Sequence, residues 1–318
     1  PYRNQIRFVV YDSQQMESGN VYLLFRDNDE LKPCSLNENS FYKRYGTLWA
    51  QDLFEVIASE TGDKMLLVSD SHRYYSANTA GSKDHLEPDN SYLGNINAFG
   101  LEVLRFPVAF KGGNLLVDRI NGQNIVFMGG DVYRTTKTIW HELHKKTLKN
   151  DQINAMVGTM LSADQIVSFD PGHIQPCAIY HLDQAMVLLP GKQVAVSRII
   201  DDPKASQKQL LIQEARAYLK TVRAKMKTLG YTVLNLDITS SSILNYRHNT
   251  NTIPYIHAVT KQRVILYPRF QGLSDPLEKE IEQRNRDTLV SAGYSVVVVP
   301  TQADQLKGGI HCLVNVLE

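Results

Sequence analysis

The stretch LLIQEARAYLKTVRAKMKTLG, Leu210 to Gly230, followed directly by YTVLNLDI, Tyr231 to Ile238, decides the fold class. Its first part carries apolar residues at helical spacing and closes on Gly230, the residue type best suited to the left-handed position after a helix. Its second part is short and rich in Val, Leu and Ile, as a buried strand is. The order recurs in LEKEIEQRNRDTLVSAG, Leu277 to Gly293, which leads into YSVVVVP, Tyr294 to Pro300. Helix, Gly, Tyr and strand thus appear twice. A weaker copy joins the helix-like TIWHELHKKTLKNDQI, Thr138 to Ile153, to the strand QIVSFD, Gln165 to Asp170.

Between these units lie further strand-like runs: NLLVD from Asn114, NIVFMG from Asn124, AIYHLDQAMVLLP from Ala178, QVAVSRI from Gln193 and RVILYP from Arg263. The sum is an α/β protein built from a repeated strand and helix unit. A doubly wound dinucleotide-binding sheet competes with this reading, but GGNLLVD from Gly112 lacks GxGxxG and does not open a helix, and no Walker sequence occurs. A chain of 318 residues, 43% hydrophobic and 21% charged, can bury a large core as one regularly built domain. Disorder, collagen and coiled coil are excluded.

With 34 Lys and Arg against 33 Asp and Glu, the net charge of +1 does not mark an electrostatic binder of nucleic acid or membrane surface, and neither partner is expected. Cys34, Cys177 and Cys312 are widely spaced and form no CxxC, which suggests neither a disulfide framework nor a zinc cluster. No apolar run approaches the roughly 18 residues of a membrane helix, so a soluble protein is expected. The start at Pro1 has no basic-then-apolar signal pattern. Beginning without Met, the chain reads as a mature form or a piece of something longer, a secreted protein among the alternatives.

Three places can carry chemistry. His181 and Asp183 stand two apart in AIYHLDQAMVLL; on a strand both side chains share one face and Leu182 takes the other. A charged pair on a buried strand is expensive unless it is paired or functional, the plain alternative being an edge strand whose polar face meets water. Cys312 sits in GGIHCLVNV, where two glycines allow a close backbone approach. In an extended stretch His311 and Cys312 face opposite ways, so the base serving Cys312 comes from elsewhere, and His181 is the candidate. Asp52 lies between apolar neighbours in WAQDLFE, Trp49 to Glu55, where a turn or cap residue is the plain reading.

In this order the segments resemble the guanidino-group modifying superfamily, the penteins, over about residues 45 to 318. WAQD is similar to its early Trp and Asp motif, GGNLLVD with NIVFMGGD to its central glycine pair and strand, HLD to its HxD, and GGIHCLVNV to its terminal HC segment. The resemblance implies a five-bladed α/β propeller of repeated strand and helix units, with catalytic residues converging at the pore. It implies that residues 46–318 form the deiminase domain, and that 1–45 are its first propeller unit or the edge of a preceding domain. It also assigns roles. Cys312 attacks the guanidinium carbon, His181 moves protons, Asp52 and Asp183 grip the cation, and Trp49 lines the substrate site. No organic cofactor is implied.

Gln51 before Asp52, the HCxxNV pattern and FGLEV, Phe99 to Val103, lean toward the peptidylarginine deiminases, whereas GGIHC and YPRF look more like the agmatine deiminases. The expected reaction is conversion of peptidyl arginine to citrulline with release of ammonia. The alternatives are deimination of agmatine or another small guanidine, and a catalytically silent pentein that binds an arginine-bearing partner. In NYRHNTNTIPYIHAV, Asn249, Asn251 or His257 stands for the substrate-loop Asn of the agmatine deiminases, and Asn251 is taken as the substrate-binding residue. Lys111 occupies the place where agmatine and arginine deiminases carry Glu. Calcium is a further expectation, held by Gln51, Glu55 and Glu102 with the carbonyls of Phe99 and Leu101, oxygen donors that suit a hard cation.

Overall fold

The computed structural model describes residues 7–11, 21–27, 30–35, 55–58, 63–69, 102–169, 178–202, 208–257, 259–270, 275–301 and 310–311. Cα packing divides the chain into two compact units, Pro1–Leu48 with His72–Glu102, and Trp49–Ser71 with Val103–Glu318. The first contains an antiparallel sheet of β1 (Arg7–Tyr11), β2 (Val21–Asp27) and β3 (Glu30–Ser35). β4 (Glu55–Ala58), β5 (Lys64–Ser69) and β6 (Glu102–Phe106) form the next three-stranded sheet.

The repeat read from the sequence is explicit in the remaining three sheets of the second unit. β7 (Leu115–Ile120) and β8 (Gln123–Gly129) form a hairpin, helices α1 (Gly130–His144) and α2 (Asn150–Met160) follow, and β9 (Gln165–Phe169) pairs parallel to β8. After a short helix α3 (Leu182–Ala185), β10 (Met186–Leu189) and β11 (Gln193–Ile200) form the next hairpin. Helix α4 (Gln209–Thr228) then returns the chain to β12 (Thr232–Thr239), parallel to β11. Past α5 (Ser240–Leu244), the hairpin of β13 (Ile253–Ile256) and β14 (Arg263–Phe270) is followed by α6 (Pro276–Ser291) and β15 (Ser295–Thr301), parallel to β14. A parallel partner needs a crossover and a hairpin does not, so each of these three repeats places its long helices between its second and third strands, the short α3 and α5 lying ahead of the hairpins.

The two Gly-Tyr junctions do the same work twice. Gly230 and Gly293 have φ of +80° and +90°, a region in which a Cβ is penalised, and they turn the chain from helix into strand. The next residue then reaches the preceding repeat: Tyr231 donates its hydroxyl to Asp118 Oδ2 at 2.8 Å, and Tyr294 donates to the Pro190 carbonyl and Gln193 Oε1, each at 3.1 Å. Burial first, and Asp118 second, raise the Tyr231 pKa, so the phenol remains the donor. α4 buries Ile212, Ala215, Tyr218, Leu219, Val222 and Met226, one stripe at the helical period, against a core that includes Phe127, Phe169 and Val196.

Two expectations are corrected. Thr138 to Ile153 is not one helix, because Lys145 adopts a left-handed φ of +55° with its N–H on the His141 carbonyl, and α2 restarts at Asn150. AIYHLDQAMVLLP is not one strand, since β10 begins only at Met186. Among the described residues no helix is long and apolar enough to cross a membrane.

Candidate active site

Two tight turns build the site. Gly112–Asn114 forms a single 3-10 turn between Lys111 and β7, closed by the Asn114 N–H on the Lys111 carbonyl at 2.8 Å. His181 precedes α3 in extended conformation, and Asp183 lies within that helix. The pair therefore shares a direction through a helical turn, not through the two-residue alternation of a strand as the sequence pattern suggested. The N–H and carbonyl groups of so short a helix need outside partners, and two amide side chains supply them. Asn114 accepts from the Leu182 N–H at 2.9 Å and donates from Nδ2 to the Tyr180 carbonyl at 3.2 Å. Gln184 Oε1 accepts from the N–H groups of Tyr180 at 3.0 Å and His181 at 3.3 Å. Leu182, fully buried in the core with Phe127 and Met186, anchors the turn from the other side.

With that backbone fixed, His181 and Asp183 converge over Gly113. A Cβ placed there would lie 2.8 Å from Asp183 Oδ1 and 2.9 Å from His181 Nδ1. The second glycine of the pair is thus required by close approach and not by backbone conformation. Both side chains are buried, His181 at 4% and Asp183 at 2% exposure. The Tyr180 ring meets the His181 imidazole edge to face at 4.7 Å.

Asp183 Oδ2 accepts from Asn251 Nδ2 at 2.8 Å and lies 3.1 Å from His311 Nδ1. An ionised carboxylate only accepts, so this contact is a hydrogen bond in the tautomer of His311 that carries its proton on Nδ1. Asn251 Oδ1 in turn accepts the His311 backbone N–H at 2.8 Å. A cavity of about 160 Å³ adjoins this cluster, lined by Asp183 and His311 together with Leu116, Met186, Leu188 and Pro254 among others. His248 lies wholly buried nearby. Burial lowers its pKa from 6.5 to about 4; His181 adds to this, and Asp183 and the Gln184 backbone oppose it. The imidazole is neutral at physiological pH.

Of the residues singled out in the sequence, the fold brings His181, Asp183 and Asn251 together. Asn249 instead donates to the Asp237 carbonyl at 2.6 Å and His257 is exposed just past the end of β13, whereas Asn251 donates to Asp183. Cys312, Asp52, Trp49, Gln51, Phe99 and Leu101 lie outside the described residues. Glu55 is half-buried at the start of β4 and Glu102 exposed at the start of β6. Among the described residues no group of three or more His, Cys, Asp or Glu could hold a metal ion. Sequence reasoning missed Asn114, Gln184, His248 and His311. Only His311 had a signal, its place beside Cys312, and the assumption of extended backbone pointed it away from the site, whereas it lies in a 3-10 turn.

The profile of a family described as Porphyromonas-type peptidyl-arginine deiminase matches residues 6–316. No curated protein matches the chain by sequence. Among solved structures, a Porphyromonas gingivalis structural-genomics target superposes with a TM-score of 0.54 at 14% identity, covering 84% of this chain and 74% of that one. The agmatine deiminase of Enterococcus faecalis gives 0.52 at 14% identity, over 83% and 73%. A C. jejuni agmatine deiminase gives 0.49 at 17% identity, over 83% and 71%.

Proposed function

We propose, on the premise that the chain belongs to the Porphyromonas-type peptidyl-arginine deiminase family and is a guanidino-group deiminase of mixed α/β pentein type, that its substrate is arginine held in a peptide or protein. The product is then a citrulline side chain, with ammonia released. The observation that carries the deiminase reading is the convergence of a buried imidazole and a buried carboxylate over Gly113, and the family match supports peptidyl arginine as the substrate. A guanidinium is planar, cationic and rich in donors, so Asp183, with Asp52 as its partner, can hold it through charge-assisted hydrogen bonds. The cation also offsets the cost of keeping carboxylates in an apolar setting.

In the proposed reaction the Cys312 thiolate attacks the central carbon and a tetrahedral adduct forms. His181 donates a proton to the departing nitrogen, which leaves as ammonia, and a covalent thiouronium remains. Water, deprotonated by His181, adds to that carbon; the C–S bond breaks and the ureido product is released. Trp49 lines the substrate site in this reading, while Asn251, the substrate residue expected from the sequence, bonds Asp183 and the His311 backbone.

The hairpin, helix and parallel strand repeated in β7–β9, β10–β12 and β13–β15 support a pentein arrangement of five such units in this reading, with residues 46–318 as the catalytic domain and residues 1–45 as its first unit or the edge of a preceding domain. Calcium at Gln51, Glu55 and Glu102 with the carbonyls of Phe99 and Leu101 stays within the proposal on donor chemistry alone. It supplies no step of the reaction. Activity unchanged by chelator and by added calcium would remove it.

A small guanidine such as agmatine fits the site about equally, because the apolar wall of Leu116, Met186, Leu188 and Pro254 beside Asp183 suits any alkyl guanidinium. Incubation with a peptidyl arginine, free arginine and agmatine, reading ureido product and ammonia, separates these substrates. Cys312→Ala is expected to abolish turnover on whichever is used. Activity retained in that variant would end the covalent mechanism, and product from agmatine alone would end the peptide reading.

A further inference from the structure

We infer that Asn251 and His311 form a latch that ties Asp183 to the chain segment carrying Cys312, acting as positioning residues and not as substrate ligands. The inference rests on the reading of Asp183 and Cys312 given above and replaces the substrate-binding role of Asn251.

Asn251 is fully buried and uses both ends of its amide. Nδ2 donates to Asp183 Oδ2 at 2.8 Å, and Oδ1 accepts the backbone N–H of His311 at 2.8 Å. A flipped amide would set an oxygen against the carboxylate, so the orientation is fixed by its partners. One side chain therefore spans from the carboxylate to the residue immediately before Cys312. His311 closes the loop, because its backbone bonds Asn251 while its Nδ1 lies 3.1 Å from the same Asp183 Oδ2. Two donors on Oδ2 set the plane of the carboxylate, and Oδ1 is the oxygen that faces Gly113.

The arrangement has a chemical purpose. Attack on a guanidinium carbon requires the cation and the sulfur to meet at a defined distance and angle, and a misplacement of about 1 Å can cost on the order of a hundredfold in rate. The carboxylate comes from residue 183 and the nucleophile from residue 312, on segments that no strand pairing joins among the described residues. The latch supplies that link. Its loss is expected to lower kcat more than it raises KM, since the cation can still be attracted but is no longer held in line.

The test compares alkylation of Cys312 by a haloacetamidine, a cation that needs the carboxylate grip, with alkylation by the neutral haloacetamide. In both, Sγ displaces halide and forms one C–S bond, so only the grip differs. The wild type is expected to prefer the amidine. In Asn251→Ala and His311→Ala the amidine rate is expected to fall about 10- to 100-fold while the amide rate stays within about twofold, with kcat falling in parallel. His311→Asn, whose amide nitrogen can reach toward the position of Nδ1, is expected to recover much of the preference. Should Asn251→Ala fold poorly, His311→Ala keeps both bonds of Asn251 and still decides. Unchanged amidine preference in His311→Ala, or equal loss of both rates, overturns the latch. A wild type without preference for the amidine would instead overturn the guanidinium reading itself, and the latch with it.

Discussion

Replacing Gly113 by Ala places one methyl group where the site has no room. The added Cβ would lie 2.8 Å from Asp183 Oδ1, 2.9 Å from Asp183 Cγ and 2.9 Å from His181 Nδ1, whereas ordinary contact begins near 3.4 Å. Something must move by roughly 0.5 to 1 Å. The backbone of His181 is pinned by Gln184, that of Leu182 by Asn114, and the carboxylate by Asn251 and His311, so relief has to break hydrogen bonds or shift the 3-10 turn. Overpacking of this kind costs about 1 to 3 kcal/mol in stability. A displacement of that size at the reacting groups is expected to cost about 100-fold in kcat/KM, near 3 kcal/mol of transition-state stabilisation. The assay is ureido-product release on the best wild-type substrate, with thermal unfolding and circular dichroism to show that the variant is folded. Gly158→Ala in α2 serves as control: its nearest neighbours stand at 3.9 Å and 4.0 Å, and activity should be unchanged. Wild-type kcat/KM in a folded Gly113→Ala would refute the close convergence of His181 and Asp183 on that glycine.

His248 makes acid stability a second measurement. Its pKa is about 4 in the fold against an ordinary 6.5, so between these values the unfolded chain binds the proton and the folded chain does not. Its contribution is complete above about pH 6.5 and is lost as the pH falls toward 4, by about 3 kcal/mol at most. Denaturant unfolding of the wild type and His248→Gln at several pH values should show the difference narrowing over that window; identical slopes would count against it. Tyr231→Phe and Tyr294→Phe each remove a hydroxyl that reaches the preceding repeat and should cost about 0.5 to 1.5 kcal/mol, additively because they serve different junctions. A variant as stable as the wild type would show that burial of the ring, and not its hydroxyl, holds the junction.

Local patterns carried most of the fold. The period of α4 and α6, the closing glycines at Gly230 and Gly293, and the Val and Ile content of β8, β11, β14 and β15 depend on neighbours a few residues away, and all can be read from the chain. The HLD segment stood out as a candidate site because a His and an Asp in an apolar run are costly without a purpose. Its backbone was misread for the same reason it was noticed, since apolar residues on both sides extend the strand pattern through a turn. That turn exists because Asn114 and Gln184 bond its backbone groups, and Asn114 lies 68 residues from Leu182.

What the sequence by itself determined, then, is the repeated α/β unit, the family resemblance and the His181 and Asp183 pair. Only the tertiary structure decided which loop residue meets Asp183, that His311 turns toward it, that His248 is buried beside it, and why Gly113 has no side chain. The physical reason is the range of the interactions. A helical stripe or a closing glycine acts within one turn of chain, but the contacts of Asp183 with Asn251 and His311 span 68 and 128 residues, and their geometry arises only once the repeats have packed.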